Sequence, residues 1–260
     1  MRDKFENIGI SDDFMFGTVM RNPEYCKPFL ETVLGIPIEK IVYPSSQKVI
    51  DLKADARSIR LDVYALDENH TVFNIEMQTG SYANLPKRSR YYQGMVDLNI
   101  LEKGKDFHCL QKSYIIFVCT FDLFGEKRHV YTFENRCVQN LDLALGDEAV
   151  KVFLNTKGTV DDVSEEMKNL LDYIDGKLPS DTYTNALDEE VRRIRQNEDW
   201  RVDYMTLDMK FREKYEEGKQ EGREIGKIDA LIQLVREGVL AEEDAARRAE
   251  MAVEDFIKLI

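Results

Sequence analysis

Two short alternating segments joined by a polar stretch constrain this chain's fold more than any other feature. Arg57–Leu66 and Thr71–Gln78 each alternate apolar and polar residues around the "DENH" of Asp67–His70. Alternation sends successive side chains to opposite faces of a strand, and two such runs around a short polar turn form a hairpin. In the first strand Ile59, Leu61, Val63 and Ala65 share one face, and Arg60, Asp62, Tyr64 and Leu66 share the other. In the second, Phe73, Ile75 and Met77 oppose Asn74, Glu76 and Gln78. If the apolar sets join in the core, Asp62, Glu76 and Gln78 gather on the other face. A three-residue turn at Glu68-Asn69-His70 produces that register. It sets Asp62 opposite Glu76, with Asn69 in the left-handed conformation it tolerates.

Opposed carboxylates repel each other. A hard divalent cation removes the repulsion: Mg²⁺ takes one or two carboxylates, a carbonyl and several waters, and leaves room for a substrate phosphate. The same acids also suit a solvated sheet face, and alternation alone leaves both readings open.

The rest of the chain predicts an α/β domain followed by helices. In Ser11–Ile36 a capping Ser-Asp pair precedes one or two helices with a break near Asn22-Pro23. Lys40–Leu52 reads as one or two short strands. A helix with Pro86 in its first turn runs to about Lys103, where Gly104 serves as C-cap. "KSYIIFVCTFDLFG" reads as a buried strand, and "RHVYTFENRC" and "AVKVFLNT" as two more. From Val160 the pattern turns helical: an amphipathic helix over "DVSEEMKNLLDYIDG", a connector "KLPSDTYTN", then one or two long charged helices. Gly218, Gly222 and Gly226 recur every four residues, which fits either a tight helix contact or a frayed junction. Ile228–Ile260 reads as two or three short helices broken near Gly238 and Met251. The division is therefore 1–158 and 159–260.

The net charge of −13 argues against a nucleic-acid partner, but its distribution weakens that argument. Residues 1–155 hold 19 Lys/Arg against 22 Asp/Glu, and residues 156–260 hold 17 against 27, so the net charges are −3 and −10. The four cysteines form no CxxC and the three histidines no HExxH, which points to reduced thiols in the cytoplasm and away from zinc. No stretch reaches membrane-span length, and the polar N-terminus lacks a signal-peptide core, so no membrane partner is expected.

The ordered set "SDDFMF", "RLDVYALDENHTVFNIEMQ", "KRSRYYQGMV", "SYIIFVCTFDLFG" and "VFLNTKGTVDDVSEEMKNLLDYIDG" spans Ser11 to Gly176. It resembles the PD-(D/E)xK nucleases, and most closely the recombination-promoting nuclease branch, also described as PD-(D/E)xK nuclease-family transposases. The resemblance implies a restriction-endonuclease-like core, α-β-β-β-α-β, with a mixed sheet flanked by helices and a helical C-terminal region. It also implies Mg²⁺- or Mn²⁺-dependent cleavage of DNA with low sequence specificity. Asp62 matches the central metal-binding Asp and Glu76 the acid of the (D/E)xK motif. Gln78 stands at the Lys position, a departure from the general superfamily pattern that this branch accepts; Gln can orient water but carries no charge. The Met77 carbonyl is a third candidate metal ligand. Asp13 matches an acidic position on the first helix, for which a plain N-cap is the alternative. Arg88, Tyr91 and Tyr92 match the basic-aromatic helix, for which a surface Arg beside two packing tyrosines is the alternative. With Lys87 and Arg90 they would hold phosphates. A rival reading is a nuclease-like module that no longer cuts and serves DNA binding or protein interaction. The acidic C-terminal region either shields the basic helix or builds a homodimer.

Overall fold

The computed structural model describes residues 2–43, 62–80, 83–101 and 104–260. They form two compact units, Met1–Trp200 and Arg201–Ile260. The first holds α1 (Arg2–Asn7), α2 (Asp13–Met20), α3 (Pro23–Leu34), β1 (Ile41–Val42), β2 (Val63–Asp67), β3 (Val72–Gln78) and α4 (Leu85–Ile100). It continues through β4 (Ser113–Cys119), β5 (Val130–Phe133), β6 (Arg136–Cys137), β7 (Asn140–Ala144), β8 (Ala149–Asn155), α5 (Glu165–Ile174) and α6 (Thr182–Arg195). Of the expected strands, Pro44–Leu52 and Arg57–Leu61 lie outside the described residues, as does the expected helix end at Lys103.

Six strands form one mixed sheet in the order β1-β2-β3-β4-β8-β5, and β6 pairs with β7. The centre is parallel, β3 on β4 on β8, while β1-β2-β3 and β5-β8 are antiparallel. This is the expected restriction-endonuclease-like arrangement, with helices flanking the sheet. Parallel central strands buried on both faces read as continuous apolar runs, as β4 does. Leu85, Tyr92, Met95 and Val96 of α4 pack on one face against Val72, Ile115, Phe117 and Phe153. Elsewhere α2 packs on β3 and is itself packed by α3 and α6, and α5 joins α3 and α6.

Local signals explain the helix boundaries. Asp12 caps α2, accepting from the N–H groups of Phe14 and Met15 at 3.0 and 3.3 Å. Asn22 caps α3 through the Glu24 N–H, with Pro23 in the first turn. α4 stops at Ile100, because Leu101 turns extended before Gly104 is reached. The expected connector is shorter than predicted: Asp181 and Thr184 form a capping box, so α6 takes up "TYTN". β7 was not anticipated, since all five of its residues are exposed and show no inward face.

The turn between β2 and β3 has the expected length. Asp67 and Thr71 close it, with the Asp67 N–H donating to the Thr71 carbonyl at 3.2 Å. The left-handed residue is His70, φ 63°, and not Asn69. A three-residue hairpin loop is a type I turn followed by one left-handed residue, which places that residue last. The Asp67 carboxylate holds the loop by accepting from the N–H groups of Asn69 and Thr71 at 2.9 and 2.7 Å.

In the second unit α7 (Glu198–Arg236) leads to α8 (Glu242–Ala249) and α9 (Val253–Ile257). α7 runs unbroken past Gly218, Gly222 and Gly226, and a Cβ at any of the three would meet open space. Within this unit the three glycines therefore make no tight contact. Leu231, Ala245, Ala246 and Phe256 form a small core. No described helix is long and apolar enough to cross a membrane.

Candidate active site

The β2–β3 register pairs Val63 with Ile75, so Asp62, one residue before β2, stands beside Glu76. The two acids interlock through the backbone. The Asp62 N–H donates to Glu76 Oε1 at 3.3 Å, and the Met77 N–H donates to Asp62 Oδ2 at 3.0 Å. Helix α2 crosses directly over this point, where a Cβ on Gly17 would lie 3.5 Å from the Asp62 carbonyl oxygen.

Glu76 is buried, as are Asn74 and Gln78. The acid-bearing face of β3 lies beneath α4 and is not solvated. Burial first, and the Asp62 charge second, push the Glu76 carboxyl well above its ordinary value. The hydrogen bond from the Asp62 N–H, then the amide of Asn74 and the Arg88 guanidinium, pull it back in part. Neither polar atom of Asn74 completes a hydrogen bond of ordinary geometry. Its influence on Glu76 is therefore one of proximity. Asn74 shares the alternation phase of Glu76 and was legible as a neighbour, though sequence analysis assigned it no role.

Gln78 is held at both ends of its amide. Arg88 Nη1 donates to its Oε1 at 2.7 Å, and its Nε2 donates to the Gly80 carbonyl at 3.3 Å. Arg88 Nη2 donates to the Tyr92 hydroxyl at 2.8 Å. The guanidinium also lies 5.4 Å from the Tyr92 ring centre and 5.8 Å from that of Phe117. Such a fork suits Arg, whose planar donors bridge two acceptors at once. Tyr92 is buried and stacks on Phe117, so any contribution it makes to DNA binding runs through Arg88. Phe117 was legible only as part of a buried strand. Lys87, Arg90 and Tyr91 are exposed on α4.

Asp13 is the first residue of α2, and the cap is its neighbour Asp12. Partial burial, then Asp12, raise the Asp13 carboxyl, while Arg88 lowers it, so the residue lies within the electrostatic reach of the site. Among the described residues no three His, Cys, Asp or Glu side chains cluster closely enough to hold a metal together. Asp13 is thus not gathered with Asp62 and Glu76. Two close carboxylates, of which Glu76 has a raised proton affinity, still fit Mg²⁺, which typically fills its remaining positions with water and substrate.

A mixed sheet carrying interlocked acids at the start of one strand and within its neighbour, with an arginine from the following helix beside them, defines an α/β core of the nuclease type. The chain belongs to the PD-(D/E)XK nuclease family transposases, whose family model matches residues 13–172. Comparisons with curated proteins and with solved structures gave no match. Family membership points to a nuclease-type hydrolase with DNA as its substrate.

Proposed function

We propose that the protein hydrolyses phosphodiester bonds in DNA with a divalent metal, Mg²⁺ or Mn²⁺, and with low sequence specificity. The observation that carries this reading is the half-buried Asp62 beside the buried Glu76, two carboxylates whose mutual repulsion a cation at the same point would relieve. Asp62 and Glu76 would hold the metal directly, with the Met77 carbonyl beside them. When bound, the metal lowers the pKa of water and neutralises charge on the phosphoryl oxygens. Gln78 lacks the charge of the usual lysine, and its amide orients the attacking water. Arg88 fixes that amide and brings positive charge toward the phosphate. Lys87 and Arg90 grip neighbouring phosphates, and such contacts carry little sequence information. The exposed Tyr91 lies beside them. We place this activity in the cytoplasm, promoting recombination or acting on foreign DNA, in a homodimer formed through the C-terminal helices.

A second reading has its own observation. Gln78 spends its carbonyl oxygen on Arg88, which leaves less of it for water. A catalytically weak or inactive module for DNA binding or protein interaction would share this geometry. Incubating plasmid with purified protein plus Mg²⁺, Mn²⁺ or Ca²⁺ separates the two. Nicking or linearisation by wild type and not by Asp62→Ala supports the nuclease, whereas retarded but uncut plasmid supports the module.

A further inference from the structure

A cleft of about 360 Å³ opens on the same sheet face as the acid pair. Phe124, Phe133 and Phe153 wall it, and Arg90 and Lys151 stand on its rim. Phe124 lies tilted against Phe133, with ring centres 5.0 Å apart, and edge-on to Phe153 at 5.3 Å. Phe133 is 44% exposed, although it is a large aromatic at the end of a strand. The size falls within the range of roughly 300–1,000 Å³ of small-molecule sites.

Its position relative to Glu76 follows from the register. Glu76 pairs with Phe117, and Phe117 pairs with Phe153. Adjacent strands lie about 4.8 Å apart, so Phe153 stands about 10 Å from Glu76 in the same row. Phe117 stacks on Phe153, carries Arg88 over its own ring, and stands between Glu76 and Phe153 in that row. Arg88 and Arg90 leave the same turn of α4; Arg88 reaches Gln78 and Arg90 lines the cleft.

We propose that this cleft takes an unstacked base of the DNA strand whose phosphate lies at Asp62 and Glu76. The inference rests on the nuclease reading and gives it a substrate class: single-stranded DNA, or DNA whose base can be extruded, within a few nucleotides of the cut. Aromatic rings bind the flat faces of bases, and the cations match the adjoining phosphates. The polar groups at the mouth are already engaged, Glu134 with Arg136 and Asn135 with Asp147. The cleft therefore holds a base by its face, with little reading of its edge, and accepts any of the four.

The test uses the full chain without added metal and a short single strand carrying 2-aminopurine at one position at a time. The fluorescence should change at one or two consecutive positions as the probe leaves its neighbours and stacks on phenylalanine. Phe133→Ala should abolish that pattern and weaken single-strand affinity about tenfold. Phe133→Trp should retain binding. Free dAMP that displaces the signal only at concentrations far above the strand's own supports a strand-borne base. Displacement at equal concentration would make the cleft a free-nucleotide site and overturn the proposal. Equal signals in wild type and a folded Phe133→Ala protein also overturn it. Plasmid cleavage without any position-dependent signal removes the cleft and leaves the nuclease reading standing. A position-dependent signal without metal-dependent cleavage removes that reading and leaves the cleft as a base site.

Discussion

Glu76 shows how far one residue's behaviour depends on its neighbours. Its carboxyl sits well above the ordinary value of 4.5, because burial and Asp62 both oppose its charge. The folded chain therefore binds that proton more tightly than the unfolded chain. Metal-free stability from this group is greatest below about pH 4.5 and is lost as pH rises through the folded pKa. Glu76→Gln should flatten the decline, which melting temperatures measured in chelator across that range would show. An unchanged slope would assign the proton to another group. Arg88 offers a second test at this scale. Lys cannot bridge Gln78 and Tyr92 together, so Arg88→Lys should cost about 1–2 kcal/mol and slow plasmid cleavage. Urea midpoints and cleavage rates read the two effects separately.

At the scale of elements, the β2–β3 hairpin and the loop after β8 each depend on one position. His70 adopts φ 63° in the hairpin turn, a conformation that costs an L-residue about 1–2 kcal/mol and glycine little. His70→Gly should raise stability by about 1 kcal/mol, and His70→Val should lower it, as denaturant midpoints would register. Gly158 lies against the buried ring of His129, whose Nδ1 is 2.8 Å from Asp162 Oδ1. A Cβ at Gly158 would stand 2.4 Å from that ring and 2.9 Å from the His129 Cα. Backbone cannot yield as a side chain can, so Gly158→Ala should cost about 1–3 kcal/mol in thermal or urea unfolding. Motif spacing predicted the hairpin and its three-residue loop but put the left-handed residue one position early. Nothing local marked Gly158 as close to His129, because that contact forms only when the loop after β8 folds back beside β5.

Across the whole molecule, the second unit holds its own small core, while α7 leaves Val202, Met205, Met209, Phe211, Tyr215 and Ile225 exposed. Apolar helical surface of this kind is usually buried against a partner. The full chain is expected to be a dimer, and a chain ending at Trp200 a folded monomer; light scattering gives both masses. A monomeric full chain would end the dimer proposal. The sequence by itself determined the pairing of Asp62 with Glu76, because side-chain alternation has a period of two and the turn length sets the register. It also determined several helix starts, because capping residues act within one turn. Only the tertiary structure decided that α4 buries Glu76, that Arg88 bridges Gln78 and Tyr92, and that Phe124, Phe133 and Phe153 enclose a cleft. It also decided that α5 and α6, beyond the last strand, pack among the helices of the first unit. These features join residues far apart in the chain. They depend on how layers stack, which local propensity and periodicity do not encode.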